Sequence, residues 1–176
     1  MGKATTPSSA LPAGVVSVGR ALSLRSPDAI GPGKPTSPQG WTTARTNAMG
    51  RIEFAASMPC TRSSVRCART LVLEALNEWA VNDDLVHSGE TVVSELMTNV
   101  VEHTATAHCE VTVELDEHES IRITVSDSSR DAPYVRAPAD EEERGRGLRL
   151  IAAMSQRWGY DFHPWGKVTW AVLSAA

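Results

Sequence analysis

The chain has 176 residues, a net charge of −4 and 41% apolar residues, room for one folded domain and a tail. Residues 1 to 50 carry Lys3, Arg20, Arg25, Lys34 and Arg45 against Asp28, a balance of +4 that leaves −8 on residues 51 to 176. So acidic a body argues against tracking a nucleic-acid backbone, which takes basic surface. No apolar run reaches the roughly 18 to 20 residues of a membrane span, and Cys60, Cys67 and Cys109 are odd in number and lack Cys-x-x-Cys spacing. A soluble cytoplasmic protein with reduced thiols is expected, without a disulfide framework or a zinc knuckle.

Residues 1 to 50 are rich in Pro, Ser, Gly and Thr, and the cluster from Pro27 to Pro38 leaves no room for a persistent helix or strand. Such a stretch buries too little apolar surface to offset its ordering entropy, so a disordered tail is expected, with the folded domain over residues 51 to 176. Met49 stands just before the folded pattern and is a candidate natural start. Arg51 to Ala56 alternates as a first strand, with Ile52 and Phe54 inward. Behind Pro59 and the cap candidates Thr61 and Ser63, apolar residues from Val65 to Trp79 recur at helical spacing. After the turn Val81-Asn82-Asp83-Asp84, a longer helix is expected to about Thr104. Strands follow at His108 to Leu115 and Ser120 to Ser126, where Val111, Val113, Leu115 and Ile121, Ile123, Val125 give period-two faces. From Ser128 to Arg144 the pattern dissolves into prolines and the acidic run Asp140 to Glu143, and a loop of that length in a compact domain is often a lid over a ligand. A helix over Gly147 to Arg157, burying Leu148, Leu150, Ile151 and Met154, leads to a closing hairpin of Trp158 to Phe162 with Lys167 to Leu173. This order predicts a two-layer α+β fold, a mixed sheet with its helices on one face.

The longer helix holds Glu95-Leu96-Met97-Thr98-Asn99-Val100-Val101-Glu102-His103. At about 100° per residue, Glu95, Asn99, Glu102 and His103 share an arc beside the apolar face. A solvated edge of an amphipathic helix would explain that stripe alone. Three later features give it more meaning: Asp127 ending a strand, Gly145-Arg146-Gly147 opening a helix, and the final strand behind Gly166. Lining one cleft, they would suit a nucleoside triphosphate. Asp127 can accept a hydrogen bond from the exocyclic amine of adenine, although a strand-end turn is the plainer reading of this residue in isolation. Glycines before a helix start let phosphate approach free backbone N–H groups, and Arg144, Arg146 and Arg149 either add contacts or merely offset the acidic run. The motif is not a Rossmann fingerprint, which needs a third glycine, nor a P-loop, which needs Gly-Lys-Ser/Thr. Asn99 offers a neutral oxygen to a Mg²⁺ that keeps waters and phosphate oxygens around it. Glu95, one turn away, can deprotonate a hydroxyl or water for in-line attack on a γ-phosphate.

At these residues the chain resembles the GHKL superfamily of ATP-binding domains (gyrase, Hsp90, histidine kinase, MutL), and within it the stand-alone bacterial anti-sigma-factor serine kinases. Val93 to His103 is similar to that branch's N box, Asp127-Ser128-Ser129 to its G1 box and Gly145-Arg146-Gly147-Leu148 to its G2 box. The likeness runs from about Arg51 to Leu173 and leaves the tail uncovered. It implies a Bergerat-type ATP-binding sandwich whose ligands are ATP and Mg²⁺. By the resemblance Glu95 is the general base, Asn99 holds the metal, Asp127 reads adenine, and His103, Gly145, Arg146, Gly147 and Leu148 complete the nucleotide site. The implied activity is a Mg-ATP-dependent serine/threonine protein kinase that binds a sigma factor and phosphorylates a small antagonist protein, without nucleic acid or membrane as partner; a homodimer is compatible with it. Two other functions stay open: a non-catalytic, ATP-gated module that sequesters a sigma factor or other regulator, and a catalytic domain dependent on a separate dimerisation partner. Three positions depart from the family pattern. Glu102 stands where related N boxes often have Lys or Arg, and Ser129 where Gly is common. Val168 is expected where many relatives have a Thr that helps bind adenine through water, with Thr169 on the other face of the strand.

Overall fold

The computed structural model describes residues 42–47, 51–116, 120–133 and 147–174. Within them run β1 (Thr42–Thr46), β2 (Ile52–Pro59), α1 (Arg62–Glu78), α2 (Asp83–His103), β3 (His108–Leu115), β4 (Ile121–Asp127), α3 (Gly147–Met154), β5 (Arg157–His163) and β6 (Gly166–Leu173). The strands form one sheet in the order β1-β2-β3-β4-β6-β5. The expected two layers are present, and each of the five pairings is antiparallel, so the sheet is antiparallel throughout where the sequence suggested a mixed one.

Strand β1 lies inside the stretch expected to be tail. Its Thr-rich sequence carries no apolar alternation, the signal by which strands are read. It is held at the sheet edge by pairing with β2 and by Arg45, which bonds Glu53 and lies 3.4 Å from Glu110. In β2 the inward residues are Phe54, Ala56 and Met58, whereas Ile52, expected inward, is 54% exposed at the strand's start.

The first helix follows the extended Thr61 and ends in a paired carbonyl lock. The Ala80 N–H donates to the Asn77 carbonyl and the Val81 N–H to the Leu76 carbonyl, with Ala80 in the left-handed region at φ 52°. This is the Schellman arrangement, in which the left-handed position normally falls to glycine. Two residues after Ala80, Asn82 caps α2 by accepting from the Leu85 N–H at 2.8 Å. The two helices pack closely because of Gly89, where a Cβ would stand 2.8 Å from Leu76 Cδ1 and 3.2 Å from Val72 Cγ1.

The core lies between the helices and one sheet face, where Leu71, Val72, Leu76, Val92, Val93, Leu96 and Met97 meet Val111, Val113, Ile121, Ile123 and Val125. Burying each such side chain is worth about 1.5–3 kcal/mol, so this layer supplies most of the driving force. Helix α3 adds Leu148 and Ile151 to the core, while Leu150, expected buried, is 39% exposed because the helix ends at Met154 and presents only one stripe. The opposite sheet face is charged: Arg122 lies 4.5 Å from the Trp170 ring centroid, and the Trp170 indole donates to Asp161 at 2.9 Å.

Candidate functional site

The apolar stripe of α2 that fills the core leaves its polar edge facing the ends of β4 and β6. Leu96, Asn99, Val100 and His103 form one wall of a narrow cleft, Asp131 to Pro133 the opposite rim, and Lys167 and Thr169 of β6 its floor. Asn99 and His103 therefore stand where the helical spacing places them. The Nδ2 atom of Asn99 is buried without a hydrogen-bond partner. An orphaned amide end is uncommon in a folded protein, and a half-turn of the amide exchanges its nitrogen for the carbonyl oxygen that a cation needs.

Glu95, one turn before Asn99, packs against the first residue of α3. A methyl group added at Gly147 would collide with Glu95 Oε2, so glycine is what lets α3 begin against the carboxylate. Burial and, after it, the nearby charge of Glu102 push the Glu95 carboxyl above the usual glutamate range. Glu102 itself turns toward α1, where Arg62 lies 3.7 Å away. It lines a separate cavity of about 270 Å³ between the two helices with Arg62, Arg66 and Arg69, larger than the cleft but holding none of the predicted site residues.

Asp127 is buried at the end of β4. Its partner was not expected. Lys167, directly opposite on β6, is 4% exposed, and its Nζ lies 3.1 Å from Oδ1 and 3.0 Å from Oδ2. Oδ1 also accepts from the Ser129 N–H at 2.8 Å. The contact to Oδ2 is an ion pair off the hydrogen-bonding direction, so Oδ2 is left without a directed donor. Behind the pair, a Cβ at Gly166, whose φ is +155°, would run into the Asp127 carbonyl oxygen. That close approach is open to glycine alone.

The register corrects one sequence expectation. Val168 pairs with Ser126 and shares the face away from the cleft, while Lys167 and Thr169 line the cleft from the sheet face that also carries Asp127 and Val125. The β6 residue beside Asp127 is therefore Lys167, and Thr169, assigned to the far side by sequence, reaches the cleft. The inward burial of Ala171 and Leu173 carried the signal: counting back in twos from Leu173 gives Thr169 and Lys167. The same row continues to β5 with the exposed aromatics Phe162 and Tyr160, in edge-to-face contact at 5.5 Å.

Of the predicted glycine-rich junction, Gly145 and Arg146 lie outside the described residues, as does the greater part of the expected lid. Leu148 is described and is 3% exposed in the core, so its side chain serves packing and only its backbone is available to a ligand. The chemistry of the cleft fits a nucleotide's base and metal in kind. Lys167 offers a donor with the acceptor Asp127 Oδ2 behind it, and Asn99 offers one amide to a Mg²⁺, which needs no protein cage. Its size fits only after opening: at about 20 Å³ it holds roughly one water, and the wall of α2 and the rim at Asp131 to Pro133 must part to admit a purine.

Among solved structures, the RsbU and RsbW domains of Rv1364c from Mycobacterium tuberculosis match with a TM-score of 0.53 at 16% identity, over 69% of this chain and 32% of that one. The present chain thus spans about a third of that neighbour's length, and the likeness is one of fold. A histidine kinase domain from the blue-light activated histidine kinase of Erythrobacter litoralis EL346 matches with a TM-score of 0.40 at 16% identity, over 66% of this chain and 61% of that one. No curated protein matches the chain. No helix among the described residues is long and apolar enough to cross a membrane. The family profile of the histidine kinase-like ATPase domain matches residues 58–173, from the end of β2 through β6, and the chain belongs to that family.

Proposed function

We propose that the protein is a Mg-ATP-dependent serine/threonine protein kinase of the anti-sigma-factor type, a cytoplasmic regulator that phosphorylates a small antagonist protein and holds a sigma factor. One observation carries the reading. A carboxylate of raised basicity, Glu95, sits against the glycine that opens α3, one turn from an unpartnered amide at Asn99, which faces a cleft beside the buried carboxylate of Asp127. Those are the parts that phosphoryl transfer requires of a protein: positioning, a base near the acceptor hydroxyl, and a metal ligand. Asn99 would hold the Mg²⁺, which when bound neutralises charge on the phosphate oxygens. Glu95 takes the proton of the incoming serine hydroxyl, and the backbone of Gly147 and Leu148 at the start of α3 offers N–H groups toward the phosphates. The anti-sigma assignment draws on the N-box, G1 and G2 likeness and on the fold shared with a protein whose described portion contains an RsbW domain.

A second reading is favoured by the Lys167–Asp127 pair and the closed cleft: a non-catalytic module in which nucleotide gates the binding of a sigma factor or other regulator. Titration with ATP in the presence and absence of Mg²⁺, followed by phosphotransfer assays on candidate antagonists, separates the two. Asn99→Ala is expected to abolish the Mg²⁺-dependent part of binding. Glu95→Gln is expected to bind ATP within a few-fold of the parent and to lose phosphotransfer by about 10²–10⁴-fold, the usual contribution of a positioned base. A parent protein that binds ATP and phosphorylates no antagonist leaves the gating module as the function.

A further inference from the structure

We infer that Lys167 is the second half of the base reader, so that Asp127 and Lys167 together present an acceptor and a donor to the ring edge of adenine. The inference rests on the nucleotide reading above. The two residues are direct neighbours across β4 and β6 on one face of the sheet; Lys167 lines the cleft, and the buried Asp127 carboxylate lies directly behind its ammonium. Asp127 Oδ1 is already satisfied by the Ser129 N–H and by Lys167, while Oδ2 has no directed donor. An ammonium has three N–H donors. Among the described residues the hydrogen bond found for Lys167 Nζ goes to Asp127 Oδ1, which leaves donor capacity in a group only 4% exposed. A charge so buried and only partly bonded is costly to keep in that state.

Adenine carries on adjoining ring positions an exocyclic amine that donates and N1, which accepts. The amine meets the open Oδ2 of Asp127, and N1 meets a spare N–H of Lys167. Each atom receives the complement that the protein leaves unspent. The bond to N1 is charge-assisted. Thr169, on the same face of the strand and one pair further from the cleft end, is free to hold the ring laterally.

The test uses the full chain and three nucleotides: ATP, 1-deaza-ATP, which replaces N1 by a C–H, and 7-deaza-ATP, which alters a ring atom that the pair does not meet. Calorimetric titration of the parent is expected to give similar affinities for ATP and 7-deaza-ATP, and about 10- to 100-fold weaker binding of 1-deaza-ATP, the range for losing one hydrogen bond to a charged group. In Lys167→Met the preference for ATP over 1-deaza-ATP should disappear. Because that variant leaves a buried carboxylate unpaired and can unfold, the double variant Asp127→Asn/Lys167→Met, which removes both charges, is titrated alongside it and should show the same loss of preference. Equal binding of ATP and 1-deaza-ATP by the parent, or a preference of the same size in the variants, would overturn the role of Lys167 while leaving nucleotide binding intact. A parent that binds none of the three removes the nucleotide reading itself, and the base reader with it.

Discussion

Glu102 has the side chain whose direction matters most for the chemistry of its neighbours. A carboxylate in place of the usual cation near the phosphates would repel a nucleotide if it faced the cleft. It turns instead to Arg62 on α1, and its remaining influence on the site is the charge it adds beside Glu95. As the proposed base, Glu95 would work only when deprotonated, so the proposed phosphotransfer is expected to fall as pH drops through its raised pKa. Glu102→Gln removes the like charge, leaves burial as the cause of the upward shift, and is expected to move the acid limb of the rate profile to lower pH. An acid limb at the same pH in both proteins would show that Glu102 does not tune the base. Cys109, next to Asp127 across β3 and β4, is a contrasting case: burial pushes its thiol far up, which makes it a packing residue and not a nucleophile.

The junction between α1 and α2 is built from two devices within three residues, the left-handed Ala80 that locks the end of α1 and the Asn82 side chain that caps α2. Each has a definite energetic sign. Ala80→Gly removes the Cβ from a conformation that disfavours it, and chemical denaturation should show a gain of about 0.5–1 kcal/mol. Asn82→Ala, which removes the acceptor for the Leu85 N–H, should cost about 1 kcal/mol. Were Ala80→Gly to destabilise the protein, the αL geometry at that position would be wrong. The junction bears on the site as well, since it sets the rotation of α2 about its axis and hence which residues of the polar stripe meet β6. Strand β6 acts as the complementary part. It lies between β4 and β5, each of which pairs with all but one of its residues, and this fixes Lys167 and Thr169 on the cleft side.

The whole molecule sets an apolar helix-covered face of one sheet against a charged open face, and charge is concentrated on the latter. Glu114 of β3 lies directly opposite Glu53 of β2, with Arg122 across on β4. Burial first, and then the hydrogen bond with Glu53, raise the Glu114 carboxyl above its usual range, with Arg122 opposing. The sign follows from proton linkage: the folded state binds this proton more tightly than the unfolded chain, so the stabilisation is complete below the ordinary glutamate pKa and is lost as pH rises through the raised value. Glu95 contributes in the same direction. Replacing Glu114 by Gln keeps a polar group beside Glu53 without the titration. In thermal unfolding measured from pH 4 to 8, the Tm of Glu114→Gln relative to the parent should rise with pH, and a constant difference would rule out Glu114 as the source of that dependence.

Most of the architecture could be read from local pattern. The spacing of Leu71, Val72, Ala75 and Leu76, and of Val92, Val93, Leu96 and Met97, marks two amphipathic helices, and the alternation in β3 and β4 marks their strands, because burying one face imposes a period that the linear chain must carry. Glu95, Asn99, His103 and Asp127 were recognisable as candidates for the same reason, their spacing on a helix face or position at a strand end. Three things depended on residues far apart in the chain. Strand β1 is held by Arg45 to Glu53 and Glu110, an edge interaction that leaves no apolar rhythm. The antiparallel order with β6 between β4 and β5 is a choice among pairings that each strand could make locally. The contact of Lys167 with Asp127 joins residues 40 positions apart, and only the strand register decides it. A period in the sequence says which side of an element is buried; which charge meets which across a sheet is settled when the strands align, and that alignment places a lysine in the cleft.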